Sequence, residues 1–354
     1  MDYQWRQYSL AHSTPTKNLE PAPKTIPANK NQIPFGVYKG ELPQINFRSL
    51  AKFLQINPLR RRIAEKQWRF ASIFTDEVVC TAAIVHVGVV NAYFAYIFDR
   101  KTKILHEING EYPAPFGPKV KLIPHRERVT FHNDDVDINI FTKLCGAVEL
   151  DVSTPEFSIS ATLQAPENPL VLVSRVPDFT AARKKDSVNV TRKCSAMAVS
   201  GVAYIQNRRI DLNSGYGMVD DTAGLLARRT HWNWVSASGK SATENSPVWG
   251  VNLVAKHNDY DYTENGIWRN GELIYVGRAN FDFNESDPME PWHIFTDDDV
   301  VDLWFKPEGC RRGRYETPIF ASIYDSPLGS YSGTICGERV EALNGLAENH
   351  QALW

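Results

Sequence analysis

The chain has 354 residues, with 39 Lys and Arg against 41 Asp and Glu for a formal net charge of −2; 43% of residues are hydrophobic and 23% charged. That balance offers no electrostatic basis for binding nucleic acid or for attraction to an anionic membrane surface. The length exceeds the usual size of one core, so two domains are expected, and nine Trp point to β packing or an aromatic-lined cavity.

Five scattered cysteines (Cys80, Cys145, Cys194, Cys310, Cys336) form no CxxC pair and no Cys/His group at metal spacing. Such a set fits reduced thiols in a cytoplasm, with no metal and no cofactor implied. The N-terminal stretch has no apolar run of the kind that starts a secretory leader.

Residues 1–32 are rich in Pro, Lys, Asn, Thr and Ser and read as a flexible N-terminal arm. Helical spacing occurs in 49–66, SLAKFLQINPLRRRIAEK, where Pro58 interrupts it. Residues 78–98, VVCTAAIVHVGVVNAYFAYIF, contain no Asp, Glu, Lys or Arg and are long enough to span a bilayer. Their β-branched and aromatic content, with His86, Gly88 and Asn91 at the centre, instead predicts two strands with a turn near 86–91 and no stable membrane insertion. Further on, KVKLIPH, RVTFHN, DINIFTKL, FSISATLQA and LVLVSRV alternate or run short as strands do. The chain therefore reads as all-β with few helices.

A weak internal repeat aligns QWRFASIF (67–74) with HWNWVSAS (231–238), matching Trp68 to Trp232, Phe70 to Trp234 and Ser72 to Ser236. About thirty residues later each half has a second hairpin signal, YIFDRKTKIL (96–105) and GIWRNGELIYVG (266–277). Either two sheets of similar topology follow one another, or period-2 patterns coincide by chance. The first reading divides the chain into an arm (1–32), a β domain (33–190) and a second β domain (191–354).

Familiar enzyme motifs fail. ASGKSA (237–242) resembles the end of a phosphate loop, but Trp234 stands where that loop needs its first Gly. GSYSG (329–333) has Tyr331 where a nucleophile elbow needs Ser.

What remains is a dense polar–aromatic segment, 215–268. Strand alternation puts Trp232 and Trp234 on one face and His231 with Asn233 on the other. The same alternation pairs Asp259 with Asp261, opposite Tyr260 and Tyr262. Two such strands side by side would set a carboxylic acid against aromatic walls. Burial would keep the acid protonated, and π-faces would stabilise a developing cation. Asp261 and Glu264 are the candidate catalytic acids. Trp232, Trp234, Tyr262, Trp268, Tyr216, Asp221 and Arg229 are the candidate ligand-binding residues. The plainer readings stand beside these: Trp pairs also fill cores, and acidic residues beside arginines also form ion pairs at sheet rims.

The ordered segments VYKGELP (37–43), INPLRRRIAEKQWRF (56–70), NVTRK (189–193), DDTAGLLARRTHWNW (220–234), TENGIWRNGEL (263–273), LGSYSGTI (328–335) and GLAENHQALW (345–354) resemble a largely bacterial family catalogued as domain of unknown function 2804. That family is similar to lipocalin-like proteins that include carotenoid 1,2-hydratases and pericyclase-type cyclases. The resemblance implies two tandem lipocalin-like antiparallel β-barrel or sandwich domains and a hydrophobic pocket, since a barrel of about eight strands has room for one small ligand. In those relatives a His-Asn-Trp strand and a later Tyr-x-Asp are the candidate acid site. Here Trp232-Asn233-Trp234 puts Trp in place of the His, and Asp259 replaces the Tyr two residues before Asp261. The carry-over thus reaches Trp234 and Asp261 but not His231.

The expected function is to bind or act on a hydrophobic small molecule of isoprenoid, polyene or fatty-acyl type. Acid-assisted hydration, isomerisation or cyclisation is the enzymatic form; a non-catalytic carrier or an interaction scaffold is the alternative.

Overall fold

The computed structural model describes residues 18–28, 32–178, 185–241, 246–257, 261–317 and 320–354. Two antiparallel sheets dominate it. The first begins with a four-strand meander, Glu65–Phe74, Val78–His86, Val90–Asp99 and Ile104–Pro113. On its other side Glu65–Phe74 pairs with Tyr216–Leu225, the last strand of that sheet. Pairing then steps back along the sequence through Lys185–Ile205, Phe157–Leu163, Val148–Ser153, Asp137–Thr142, Arg128–His132 and Lys119–Lys121. These last two strands curl round to pack against Glu65–Phe74 and Val78–His86, so the sheet closes on itself.

The second sheet repeats this plan. Its meander is Arg229–Lys240, Val248–Ala255, Gly266–Arg269 and Glu272–Tyr275, and Arg229–Lys240 pairs with the last strand, Glu338–Leu353. From there the order again runs backwards, through Ala321–Ile335, Val301–Glu316, Trp292–Thr296 and Ala279–Asp282. The aligned segments QWRFASIF and HWNWVSAS are thus the opening strands of two like sheets. Their later hairpins, turning at 100–103 and at 270–271, are topological equivalents as well.

The chain passes between the sheets at 226–228, whereas residues 190 and 191, where the sequence reading divided it, lie inside Lys185–Ile205. That strand is long because its two parts have different partners. Residues 185–193 pair with Leu170–Asp178, and residues 199–205 pair with Phe157–Leu163. A register shift between Cys194 and Met197 marks the change.

Other local expectations resolve simply. Residues 78–98 form two strands joined by a turn at 87–89. Among the described residues no helix is long and apolar enough to cross a membrane. The 49–66 segment becomes two short helices, Phe47–Phe53 and Pro58–Ala64, with Pro58 in the first turn and Asn57 capping Arg60 N; proline is favoured there because its missing N–H would go unused. Of the expected arm, 1–17 and 29–31 lie outside the described residues. Thr25–Ile26 pairs with Gln44–Ile45, and Ile26 is buried.

Alternation decides what each face does. Inward residues of the first sheet, such as Ala71, Ile73, Cys80, Ala82, Ile84 and Val219, fill its interior. Val235, Ala237, Trp249, Val251, Leu303 and Phe305 fill the second. Outward residues of the two sheets then meet: Phe70, Phe74, Ala83, Tyr96 and Met218 of the first pack against Trp234, Val254, Leu328 and Leu346 of the second. Ion pairs flank this joint, Arg100–Glu308 at 2.6 Å and Arg311–Glu107 at 2.7 Å.

Candidate active site between the two sheets

The joint is not fully packed. A cavity of about 400 Å³ lies in it, lined from the first sheet by Trp68, Phe70, Val85 and Phe94 and from the second by Trp232, Trp234, Val254 and Trp354. The cavity thus lies between the barrels, whose interiors the inward side chains occupy. Its volume falls in the range that holds a small organic ligand.

The repeated aromatics supply the walls. Trp68 and Phe70 face the cavity from one opening strand, Trp232 and Trp234 from the other, and Phe70 meets Trp234 edge-on with ring centroids 5.3 Å apart. Parity had placed His231 away from the tryptophans, and it bonds Asn349 at 2.9 Å outside the cavity lining.

Into this wall the fold sets a buried charged cluster. Asp220 faces the cavity from Tyr216–Leu225, flanked across the strands by Phe70 and Lys193. Lys193 Nζ lies 2.7 Å from Asp220 Oδ2 and 3.1 Å from Glu264 Oε2, and 5.2 Å from the centre of the Trp234 ring. Trp68 Nε1 donates to Asp220 Oδ2 at 3.4 Å, while the Thr191 and Thr222 hydroxyls donate to Oδ1 at 3.3 and 3.2 Å. Glu264 is fixed through its own backbone. Trp234 Nε1 donates to Asn252 Oδ1 at 2.9 Å, and Asn252 Nδ2 donates to Glu264 O at 2.7 Å. Asn265 next to it accepts from Val254 N at 2.7 Å and donates to Gly277 O at 2.9 Å.

One ammonium therefore serves two carboxyls in a buried place. Burial raises the Asp220 carboxyl above its usual range; Lys193 opposes this and Glu264 reinforces it. For Lys193, burial favours the neutral amine, but Asp220 and Glu264 outweigh it and hold the ammonium. His257 also lines the cavity. Burial, aided by the Lys193 charge, lowers its pKa to about 4, so the imidazole is neutral. Its Nε2 is buried without a hydrogen-bond partner among the described residues. Trp232 separates this cluster from a second one, its ring 5.9 Å from that of His257 and 4.2 Å from that of His350.

The sequence profile of the domain of unknown function DUF2804 matches residues 26–354. The chain belongs to the DUF2804 family. No curated protein matches the DUF2804 chain in sequence. In fold it is similar to kievitone hydratase from Nectria haematococca, with a TM-score of 0.54 at 12% identity, covering 94% of this chain and 97% of the other. It is also similar to a protein given the provisional assignment AttH from Nitrosomonas europaea, with a TM-score of 0.53 at 9% identity and coverage of 81% and 92%. At these identities the likeness is one of fold, two tandem β-barrel-like units, as the resemblance read from the sequence implied.

Of the residues singled out in the DUF2804 sequence, Trp232, Trp234 and Glu264 line the cavity. The others do not. Asp261 is exposed, as is Tyr262, because the chain becomes buried only from Thr263 onward; residues 258–260 lie outside the described residues. Trp268 is buried against Leu170 and Leu273 and donates Nε1 to Asn168 O at 2.8 Å. Tyr216 lies at the start of its strand beside Phe74. Arg229 is exposed at the sheet end. Asp221 points into the first barrel, where Arg69 meets it at 2.8 Å and Arg192 at 2.6 Å. Burial alone would raise its pKa, but the two guanidinium groups outweigh that and lower it. The neighbour Asp220 faces the cavity instead, and it is not among the residues singled out from the sequence. Alternation within DDT could have separated the two carboxylates only once the inward face was known. Lys193, His257 and the group around His350 carried no local signal.

Proposed function

We propose that the cavity binds an apolar unsaturated small molecule, of isoprenoid or polyene type, and that Asp220 is the general acid of a cofactor-independent hydration, isomerisation or cyclisation. The observation that carries this reading is a buried carboxyl with a raised pKa set among four aromatic rings and one lysine. In its protonated form, with Glu264 keeping Lys193 charged, Asp220 transfers its proton to an alkene carbon, and the π electrons of the double bond form the new C–H bond. The cation left on the adjacent carbon faces Trp68, Phe70, Trp232 and Trp234, whose ring faces stabilise positive charge. Lys193, held as an ammonium, compensates the carboxylate that Asp220 becomes. In hydration, water adds to the cation and its proton returns to the carboxylate. In isomerisation, the carboxylate instead takes a proton from a neighbouring carbon. His257, neutral and with a buried Nε2 that has no partner among the described residues, is placed to bond that water or a ligand hydroxyl. The fold shared with a hydratase supports the reading without carrying it.

The test is proton transfer to carbon, read as deuterium. Farnesol and geranylgeraniol incubated with the protein in D₂O should gain carbon-bound deuterium by mass spectrometry. Asp220→Asn should lower the rate at least about 100-fold, the usual scale of general acid catalysis, with an unchanged circular dichroism spectrum. Asp261→Asn, on the exposed segment, should leave the rate as it is. Saturable binding of either alcohol with no deuterium gained would identify a carrier instead.

A further inference from the structure

The second polar group on the cavity wall has a geometry of its own. Ser322 and Tyr324 alternate onto one face of Ala321–Ile335, and Glu348 and His350 onto the adjoining face of Glu338–Leu353. Ser322 Oγ is 3.0 Å from His350 Nε2, and His350 Nδ1 is 3.0 Å from Glu348 Oε1. Trp232 Nε1 donates to the same carboxylate oxygen at 3.0 Å and holds it in place. Glu348 and His350 are each only 14% exposed.

The carboxylate of Glu348 assigns one tautomer to the His350 ring. A carboxylate only accepts, so the Nδ1 facing Glu348 carries the proton. In the neutral ring the lone pair is then on Nε2, directed at Ser322, and the serine hydroxyl is the donor in that contact. A hydroxyl bonded to Nε2 of a histidine whose Nδ1–H is held by a carboxylate is the arrangement that activates a serine nucleophile, and it is recognised by geometry rather than by sequence position. That explains why motif matching was silent: Ser322 lies on a strand, outside any GxSxG turn.

We propose that Ser322, His350 and Glu348 form a nucleophilic acyl-transfer site, a second chemistry in the same cavity, directed at esters with an apolar acyl or alcohol part. Ser322 Oγ adds to the ester carbonyl while its proton passes to His350 Nε2. The C–O bond to the alcohol then breaks, and the departing oxygen takes that proton. Water, deprotonated by His350, adds to the acyl-serine carbonyl; the bond to Oγ breaks, Oγ takes the proton back from His350 Nε2, and the free acid leaves. Glu348 stabilises the imidazolium in each half. Arg311 and Tyr324 add N–H and O–H donors to the same wall. Arg311 has its guanidinium carbon 4.7 Å from the centre of the Tyr324 ring and 4.1 Å from that of Phe94. Tyr324 is two residues from Ser322, its hydroxyl kept protonated by burial with a pKa pushed up to about 12. The apolar walls, Phe94, Trp232, Phe320 and Trp354, select against small polar esters.

The test uses the full-length protein and an alkyl fluorophosphonate, which bonds covalently only to activated serines, followed by peptide mass spectrometry. Labelling is expected at Ser322 and absent in Ser322→Ala. His350→Gln and Glu348→Gln should each slow it at least 10-fold in proteins with unchanged circular dichroism. The protein should also hydrolyse p-nitrophenyl octanoate faster than the acetate. An unlabelled Ser322 in the folded protein, or equal labelling rates in wild type and His350→Gln, would overturn the proposal. The reading shares its cavity with the Asp220 chemistry but not its reacting atoms. A failed deuterium experiment leaves the label on Ser322, and a failed label leaves the deuterium result intact.

Discussion

At the scale of single residues, the outcome turns on which of two adjacent carboxylates faces which way. Asp220 and Asp221 share a strand, and one step of alternation sends the first to an aromatic wall and the second to two arginines. Opposite shifts follow from these surroundings, raised for one and lowered for the other. His257 makes a further residue-scale prediction. Its folded pKa of about 4 lies below the ordinary value near 6.5. Between those limits the unfolded chain binds a proton that the folded chain refuses, so stability falls as pH drops through that window and is unaffected above it. The loss amounts to roughly 3 kcal/mol. In urea unfolding, wild type should lose more stability than His257→Gln between pH 7 and pH 4.5; equal losses would place His257 in a hydrated setting.

Elements are where the sequence was most legible, and also where it stopped. Alternation alone separated Trp232 and Trp234 from His231, and the Trp68/Trp232 and Phe70/Trp234 alignment paired two strands whose aromatics meet across the cavity. Pro58 and Gly88 each marked a break that the structure keeps. Alternation could not reveal partners. Lys193, Asp220 and Glu264 come from two strands and a loop that only tertiary folding brings together, and the same holds for Ser322 and His350. Nor could it tell a loop carboxylate that is covered, Glu264, from one three residues earlier that is not, Asp261. The turn at Gly88 ties an element to the site. With φ at +87°, it lies so close under the end of Pro58–Ala64 that a Cβ would sit 2.6 Å from the carbonyl oxygens of Arg62 and Ile63. Lys66 Nζ donates to the neighbouring Val87 O at 2.9 Å, and Val87 lines the cavity. Gly88→Ala combines a left-handed backbone with a backbone clash and should cost about 2 kcal/mol or more. An unchanged thermal midpoint would show that the turn can move off the helix freely.

Across the whole molecule, two like sheets each bury an interior and leave an outward face rich in aromatics. Joining those faces removes apolar surface from water, which drives the packing of Phe70, Phe74, Tyr96, Trp234 and Leu346. Where the joint stays open it forms a site to which both halves contribute, and neither half holds it alone. The duplicated plan thus explains why aromatics of the repeat converge and why the charged groups enter from several strands. The central claim is that the ligand site lies in this joint and not in either barrel. Titration with the apolar dye N-phenyl-1-naphthylamine, followed by its fluorescence, tests it most directly in wild type and in Val85→Trp, which fills the cavity while leaving the barrel interiors unaltered. The account predicts one saturable site per wild-type chain and at least a 10-fold weaker Kd in Val85→Trp; equal affinity in the two proteins would contradict it.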